Sequence, residues 1–276
     1  MSNIANVLTI AGSDSGGGAG IQADLKTMSA LGTFGCSVLT ALTAQNTRGV
    51  TAIHAVPLDF VRAQMAAVFS DIEIAATKIG MLASADLVQT VAEGLEAHRA
   101  RNVVLDPVMV AKSGDRLLAA DAVSALREHL VPRAEVITPN LPEVADLLER
   151  PEPKSRSEMR AAGEHLLALG PRHVLVKGGH LSDDPTSPDL LLGAGPPQWL
   201  EAPRTATRNT HGTGCSLSSA IAAHLARGLP VIEAVHAAKA WVAAAIARAD
   251  DLDVGHGSGP IHHFHALWER LDKEES

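Results

Sequence analysis

The stretch with the clearest chemical potential is residues 209–215, which read NTHGTGC. Leu217, Ile221 and Leu225 follow at a helical period, so the stretch is predicted to lead into the N-terminus of a helix. The first amides of a helix have no intrahelical acceptor, and the peptide dipoles add partial positive charge there. Because glycine lets the backbone approach an anion closely, the stretch predicts a phosphate site that needs no basic side chain.

Cys215 closes this predicted phosphate cradle. A thiol at a helix N-terminus usually has a lowered pKa, because the dipole favours the thiolate, so we expect a reactive sulfur here. The alternative is an ordinary glycine-rich helix start that contains a small apolar cysteine. The segment alone does not decide between the two.

A second glycine-rich stretch lies near the start of the chain. Residues 7–11 are apolar and predict a buried strand, and residues 12–20 (GSDSGGGAG) predict a loop. Ile21, Leu25 and Met28 then mark one face of a helix. Strand, glycine loop and helix form the context of a nucleotide or phosphate site, yet the spacing fits neither the P-loop nor the dinucleotide motif. The loop therefore indicates only a close approach of the backbone to a ligand.

The remaining chain alternates between apolar runs and helical periods, which predicts βαβ units and a mostly parallel sheet. One further apolar run covers residues 34–42, and residues 190–192 and 198–201 are short enough to form an edge hairpin. Residues 182–188 are the best candidate for a surface loop, and no linker divides the chain. We therefore expect one domain over residues 1–276. The other predicted strands are residues 50–56, 77–81, 103–107, 136–138 and 174–177, and the other predicted helices are residues 58–69, 87–95, 159–169 and 235–249.

Composition limits the classes of function. The 276 residues carry a net charge of −8 without a basic run, which argues against nucleic acid and acidic membranes as partners. Hydrophobic residues make up 46% and aromatic residues 3%, which suits helices packed on a parallel sheet. Two cysteines provide no disulfide framework, and we expect a reducing compartment, the cytoplasm. The start does not read as a signal peptide, and no apolar run reaches the roughly 20 residues that span a bilayer.

Polar side chains gather at the predicted carboxyl ends of the strands, where doubly wound sheets bind ligands. Acids with an amide suit magnesium (Mg2+), and a lysine with a helix N-terminus suits phosphates. Together they predict phosphoryl transfer from a magnesium-bound nucleotide. The set comprises Asp14, Gln45, Met81, Asp106, Asn140, Glu143, Lys177 and residues 212–215.

Several of these residues also have ordinary structural explanations. Asn140 and Glu143 have the spacing of a helix capping box. Asp106 could simply end a strand, Lys177 could lie in a solvated turn, and Met81 could fill the core. These alternatives remain open from the residues alone.

Residues 262–265 (HHFH) resemble a metal-binding tract. Short histidine tracts are weak evidence, however, and no acid or cysteine lies at ligand spacing. We expect the start of a surface helix there instead.

Seven motifs resemble those of the hydroxymethylpyrimidine and phosphomethylpyrimidine kinases of thiamine biosynthesis, and they occur in the same order. The resemblance runs from about Val7 to near Trp268. It implies a ribokinase-like α/β three-layer sandwich, with a central mostly parallel sheet and helices on both faces, and a homodimer. The motifs are residues 11–27, 40–47, 78–82, 105–109, 138–143, 176–180 and 209–215.

The resemblance also implies a reaction. ATP would phosphorylate the hydroxymethyl group of 4-amino-5-hydroxymethyl-2-methylpyrimidine and then the resulting monophosphate. Gly212, Thr213 and Gly214 would form the anion hole, and Cys215 would occupy the position of the catalytic base. Most sugar kinases of the superfamily have aspartate there, so the cysteine points to the pyrimidine and pyridoxal branch.

The remaining site residues follow from the same resemblance. Asn140 and Glu143 would hold magnesium with Asp106 nearby, and Lys177 would meet the nucleotide phosphates, with Asn140 and Thr213 on the ATP side. The pyrimidine site would be lined by Asp24, Gln45, Met81, the backbone of Val108, Gly12 and Ala19.

Two departures and two alternatives accompany the resemblance. Ser15 and Arg116 stand where proline is usual in the family, Arg116 directly after Asp115. A pyridoxal kinase on the same scaffold is the second interpretation. A non-catalytic pyrimidine sensor is the third, although the retained cradle, Lys177 and acids weigh against it.

Overall fold

The computed structural model describes residues 4–109, 120–181 and 184–268. Asp115 and Arg116 lie outside the described residues, as does part of the predicted surface loop at 182–188. The strands are β1 (Asn6–Ala11), β2 (Phe34–Leu39), β3 (Ala41–Asn46), β4 (Gly49–Ala55), β5 (Ile74–Ile79), β6 (Val103–Leu105), β7 (Val136–Ile137), β8 (His173–Lys177), β9 (Asp189–Leu192) and β10 (Gln198–Leu200).

The helices occupy most of the connections between these strands. They are α1 (Gly20–Ala30), α2 (Leu58–Asp71), α3 (Ala85–Ala97), α4 (Ala120–Ala125), α5 (Leu141–Leu148), α6 (Arg156–Leu167), α7 (Thr213–Ala226) and α8 (Val231–Ala247). The chain continues from α4 through a π turn (Leu126–Leu130) and a 3-10 turn (Val131–Arg133), and a second 3-10 turn (Ala249–Asp251) follows α8.

Eight strands form one sheet in the order β10-β9-β8-β7-β6-β5-β1-β2. The neighbours from β2 to β8 are parallel, as the alternation predicted. β9 and β10 run antiparallel at the edge, which confirms the predicted hairpin. Because the chain order reverses at β1, a crevice opens beyond the carboxyl ends of β1 and β5, where doubly wound sheets bind ligands.

Both faces of the sheet are covered, which is why its strands are apolar on both sides. Alternate residues such as Val7, Val104 and Leu175 pack against α1, α7 and α8. Their neighbours, such as Leu8 and Leu105, pack against α2 to α6. The result is the predicted three-layer arrangement.

The apolar run over residues 34–42 forms two strands and not one. Thr40 separates β2 from β3, and its backbone bonds to Ala11 and Val56 at 3.0 and 3.1 Å. β3 leaves the main sheet and pairs with β4 in a two-stranded hairpin. Most of β4 is exposed, so its apolar residues do not serve the core. The hairpin instead forms a wall beside the crevice.

Helix α7 begins at Thr213, earlier than the apolar period at Leu217 indicates. The cradle therefore includes the first turn of the helix. Residues from Ser216 to Leu225 are all buried, since α7 packs between the sheet and α8. In the described residues, no helix is long and apolar enough to span a bilayer.

Candidate active site

The cradle, residues 212–215, is shaped by glycine. Gly212 caps α7 with φ of 76°, a left-handed conformation that favours glycine. A Cβ at Gly212 would lie 1.8 Å from the carbonyl oxygen of Gly18, so the opening loop (residues 12–20) and the cradle are in close contact. The Thr213 hydroxyl donates to the Thr210 carbonyl at 2.8 Å. These contacts hold the first amides of α7 at the wall of a cavity.

Lys177 lies beside the cradle, between two buried carboxylates. Its Nζ is 3.0 Å from Asp106 Oδ1 and 3.8 Å from Glu143 Oε2. The Thr138 hydroxyl also donates to Asp106, at 3.2 Å, and the Ser218 hydroxyl lies 3.3 Å from Asp106 Oδ2. Burial alone would raise the pKa of Asp106, but Lys177 and Lys78 hold that pKa below its usual value.

Asn140 and Glu143 form a true capping box at the start of α5. Glu143 N donates to Asn140 Oδ1 at 2.9 Å, and Asn140 N donates to Glu143 Oε2 at 2.7 Å. The structural explanation of this pair is therefore correct. Both residues also line the cavity, so the cap does not exclude a ligand role.

The acids fit a magnesium ion that takes its other ligands from phosphates and water. Burial raises the pKa of Glu143 to about 7, with Asp106 adding to the effect and Lys177 opposing it. Among the described residues, no group of three His, Cys, Asp or Glu side chains could hold a metal alone. Magnesium needs only one or two carboxylates when a nucleotide supplies phosphate oxygens.

Two cavities meet at the cradle. The larger, of about 640 Å³, extends between the opening loop, the hairpin and the cradle. The smaller, of about 330 Å³, extends toward residues 202–205 and α8. Lys177, Thr213 and Gly214 line both. A group transferred between ligands in the two cavities would pass these residues.

The larger cavity brings together most of the residues predicted for the pyrimidine site. Its lining includes Gly12, Ala19, Gln45, Met81 and Val108. Cys215 and Asp106 line the same cavity. The sulfur therefore lies at the carboxyl edge with the acids and the lysine.

The chain matches the family model described as phosphomethylpyrimidine kinase over residues 14–262. The chain belongs to the phosphomethylpyrimidine kinase family. It is 57% identical to the hydroxymethylpyrimidine/phosphomethylpyrimidine kinase of Escherichia coli K12 over 263 residues, 95% of this chain and 98% of the relative.

Solved structures show the same fold. The pyridoxal kinase of Bacillus subtilis in complex with ADP superposes with a TM-score of 0.89 at 37% identity, covering 96% of this chain and 99% of that one. The phosphomethylpyrimidine kinase of Clostridium difficile 630 superposes with a TM-score of 0.77 at 43% identity, covering 87% and 98%. The predicted kinase family and ribokinase-like fold class are confirmed.

Asp24 was expected to line the pyrimidine site, but it is not part of the wall of the larger cavity. It is completely buried, and its carboxylate accepts hydrogen bonds from Lys78 at 2.8 and 2.9 Å. Thr9 and Ser219 each donate to it at 2.7 Å. Asp24 thus neutralises a buried lysine and joins α1 to α7.

The expected low pKa of Cys215 is also wrong. Burial raises the pKa of this thiol to about 11, and the carboxylates of Asp24 and Asp106 add to the effect. Lys78 and a backbone hydrogen bond from Gly20 oppose the rise without overcoming it. In the absence of ligands the sulfur is therefore a neutral thiol at pH 7.

The histidine tract at 262–265 is not on the surface as expected. His262 and His263 are buried, and His263 Nε2 lies 2.9 Å from the hydroxyl of Ser216 in α7. Burial first, and then Lys26 and the neighbouring histidines, lower the pKa of His263 to about 3. His263 therefore supports the cradle helix as a neutral side chain.

Two residues of the cavity wall lie within the family motifs, but the sequence assigned them no role. Lys78 lines the larger cavity and is fully buried, and His211 lines the same cavity next to the cradle. A signal for Lys78 was available, because a lysine inside an apolar strand requires a buried partner. No comparable signal marks His211, whose partners come from distant loops.

Proposed function

We propose that this enzyme uses ATP to phosphorylate 4-amino-5-hydroxymethyl-2-methylpyrimidine and then the monophosphate, giving the diphosphate used in thiamine diphosphate biosynthesis. One observation carries the proposal: the cradle and Lys177 lie between two cavities that both open onto them. Family membership and the Escherichia coli relative, whose name carries both kinase activities, support the same substrates.

The pyrimidine occupies the larger cavity in this proposal. Gln45, Met81 and the backbone of Val108 contact the ring, and Gly12 and Ala19 let the opening loop approach it. The hydroxymethyl oxygen then lies next to Cys215. Asp24 acts on this site only through Lys78.

ATP occupies the smaller cavity, with its phosphates directed toward the cradle. Lys177, Asn140 and Thr213 line this cavity as well as the larger one. The amides of Gly214 and Cys215 donate to the transferring phosphoryl group, as helix N-termini do with anions. ADP in the related Bacillus subtilis pyridoxal kinase supports a nucleotide site on this scaffold.

Asp106, Glu143 and Asn140 hold magnesium in this proposal. The ion would supply positive charge to the phosphates during transfer. Lys177 remains paired with Asp106 and keeps its ammonium directed at the same phosphates.

Cys215 orients the hydroxymethyl group and receives its proton as the phosphorus–oxygen bond forms. The thiol is neutral before binding, so the half-buried sulfur must first release its own proton to solvent as the site fills, and the resulting thiolate then accepts the proton of the alcohol. Lys78 is the buried cation that favours the thiolate. Positioning and electrostatics carry most of the rate in this chemistry.

The direct test is incubation of the protein with ATP, magnesium and the aminopyrimidine alcohol, followed by mass spectrometry. We expect the monophosphate first and the diphosphate later. If neither product forms, the proposal is wrong. The same result would favour the non-catalytic pyrimidine sensor if the alcohol still binds.

Pyridoxal phosphorylation is the second candidate, because a pyridoxal kinase shares the scaffold with a TM-score of 0.89. A parallel incubation with pyridoxal separates the two. We expect a kcat/KM for the aminopyrimidine that exceeds the value for pyridoxal. The reverse order would make vitamin B6 salvage the main activity.

We further propose that residues 1–276 form one kinase domain, that it acts in the cytoplasm, and that it forms a homodimer without binding nucleic acid or membranes. The two unpaired cysteines support a reducing compartment. Leu42 and Ile53 of the hairpin are 45% and 52% exposed, which supports a partner subunit over this surface. Sedimentation of the wild type and of Leu42→Asp tests the dimer, since a monomeric wild type would contradict it.

A further inference from the structure

His211 lies where three loops meet the cradle. Its Nε2 is 2.9 Å from Asp14 Oδ2 in the opening loop, and its backbone N–H donates to the Gly259 carbonyl at 3.0 Å. Gln45 of the hairpin has its amide Nε2 placed 3.4 Å from the same His211 Nε2. One side chain thus joins the opening loop, the wall of the larger cavity and the cradle.

Asp14 can only accept a hydrogen bond from His211. Its Oδ1 accepts from Gly16 N at 2.8 Å, and its Oδ2 accepts from Gly18 N and Ala19 N at 3.1 and 2.8 Å. Burial raises its pKa, but the bonds from His211 and the loop amides leave that pKa below its usual value. An ionised carboxylate has no hydrogen to donate, so His211 must carry a hydrogen on Nε2.

This hydrogen decides how the Gln45 amide is oriented. Because an N–H group of Gln45 cannot face the N–H of His211, the amide must be turned by 180°, which places its oxygen 3.4 Å from His211 Nε2 and its nitrogen next to Thr43. The other end of the amide gives the same answer independently. Thr43 has one hydroxyl hydrogen, which goes to the Ser13 carbonyl at 2.9 Å, so its contact with Gln45 at 3.2 Å requires the amide to donate.

We propose that the Asp14–His211 pair is a specificity device that fixes the Gln45 oxygen beside His211 at the wall of the larger cavity, where the second lone pair of that oxygen selects ring substrates that carry an N–H donor. His211 is a positioning residue in this proposal, because it acts on the substrate through Gln45. The inference rests on the proposed function, since the aminopyrimidine alcohol is the ring with an exocyclic amine.

The first experiment needs no substrate. Histidine labelled with 15N gives a directly bonded hydrogen signal for each protonated ring nitrogen, and His211→Gln assigns the His211 signals by their loss. We expect Nε2 of His211 to carry a hydrogen near pH 8, and Asp14→Asn to weaken or remove it. An unprotonated Nε2 in the wild type would overturn the proposal, whatever the enzyme phosphorylates.

The second experiment compares two replacements of His211. Glutamine places an amide N–H near the position of Nε2 and can still donate to Asp14, whereas leucine cannot. Losing a hydrogen bond to a charged group changes an equilibrium by about tenfold or more. We expect His211→Leu to raise KM for the aminopyrimidine alcohol about tenfold, with KM for ATP changed less than about twofold, and His211→Gln to remain close to the wild type.

Controls separate this effect from loss of the fold. His256 is exposed, and His256→Gln should leave both KM values unchanged. The thermal midpoints of all variants identify any that unfold. Equal damage by glutamine and leucine, or equal rises in both KM values, would overturn the proposal. A wild type inactive on the alcohol would refute the kinase function, while the nitrogen measurement would still decide the state of His211.

Discussion

At residue 215, burial outweighs the helix dipole. The first turn of α7 offers positive partial charge, yet desolvation and two carboxylates raise the pKa of the thiol to about 11. Sequence reasoning placed this sulfur correctly at the cavity wall. It missed the protonation state because the acids that surround it come from α1 and from the end of β6.

Replacing Cys215 tests its role in proton transfer. A general base contributes about 10²–10⁴-fold to the rate, so we expect Cys215→Ala to lower kcat within that range. Cys215→Asp should recover part of the loss, because a carboxylate can accept the same proton. Steady-state kinetics and nucleotide binding by calorimetry provide the measurement. Wild-type turnover in the alanine variant would remove the thiol from the mechanism.

The Asp24–Lys78 pair should matter for stability. Removing one partner of a buried ion pair costs about 3–5 kcal/mol, because the other charge is left without compensation. We therefore expect Lys78→Met to lower the free energy of unfolding by that amount, measured in urea. The double variant Asp24→Leu/Lys78→Met should be more stable than Lys78→Met. If the single and double variants lost the same free energy of unfolding, the unpaired charge of Asp24 would not be the cause.

At the scale of elements, the two glycines that flank α7 have different surroundings. Gly212 and Gly228 flank α7, and both have positive φ, 76° and 87°. A Cβ at Gly212 would collide with the Gly18 carbonyl, whereas a Cβ at Gly228 would meet no atom within 4 Å. Replacing each glycine by alanine therefore separates the effect of distorting the cradle from the effect of backbone strain alone.

We expect the collision in Gly212→Ala to displace the amides of Gly214 and Cys215 and so to lower kcat by at least about 100-fold, the usual cost of losing a donor to the reacting oxygen. Gly228→Ala should cost about 1–2 kcal/mol of stability through backbone strain and leave kcat unchanged. Turnover and urea denaturation of both variants provide the test. Similar kcat values in the two variants would show that the cradle geometry is not needed.

Elements with a clear period were predictable from the sequence, and elements set by distant contacts were not. The apolar strands β1 and β6 and the amphipathic helix α8 appear close to their predicted positions. The hairpin was missed at β3, because residues 34–42 form one continuous apolar run. Only the tertiary bonds of Thr40 to Ala11 and Val56 divide it.

At the scale of the whole molecule, the histidine tract connects the end of the chain to the cradle helix. His263 reaches Ser216 across 47 positions of sequence, which no local pattern could reveal. Its pKa of about 3 means that the folded protein keeps it neutral at pH values where the unfolded chain protonates it. Stability should therefore fall as the pH drops from 6.5 toward 3.

This linkage predicts a difference between two histidine variants. One pKa unit corresponds to about 1.4 kcal/mol. Because His263 stays neutral in the folded protein, the free energy of unfolding of the wild type should fall by about 2 kcal/mol between pH 6.5 and 5. His263→Gln can keep a bond to Ser216 and should lack this loss. His256 is exposed, so His256→Gln should show the same loss of stability as the wild type. Urea midpoints at the two pH values provide the measurement, and an identical pH dependence in all three proteins would contradict a neutral buried His263.

The most direct test of the central claim is a crystal structure with the aminopyrimidine alcohol, magnesium and a non-hydrolysable ATP analogue. The account predicts the terminal phosphate within hydrogen-bond distance of the Gly214 and Cys215 amides. It also predicts the hydroxymethyl oxygen between that phosphate and the sulfur of Cys215. A terminal phosphate bound away from the first turn of α7, or an alcohol outside the larger cavity, would contradict the account.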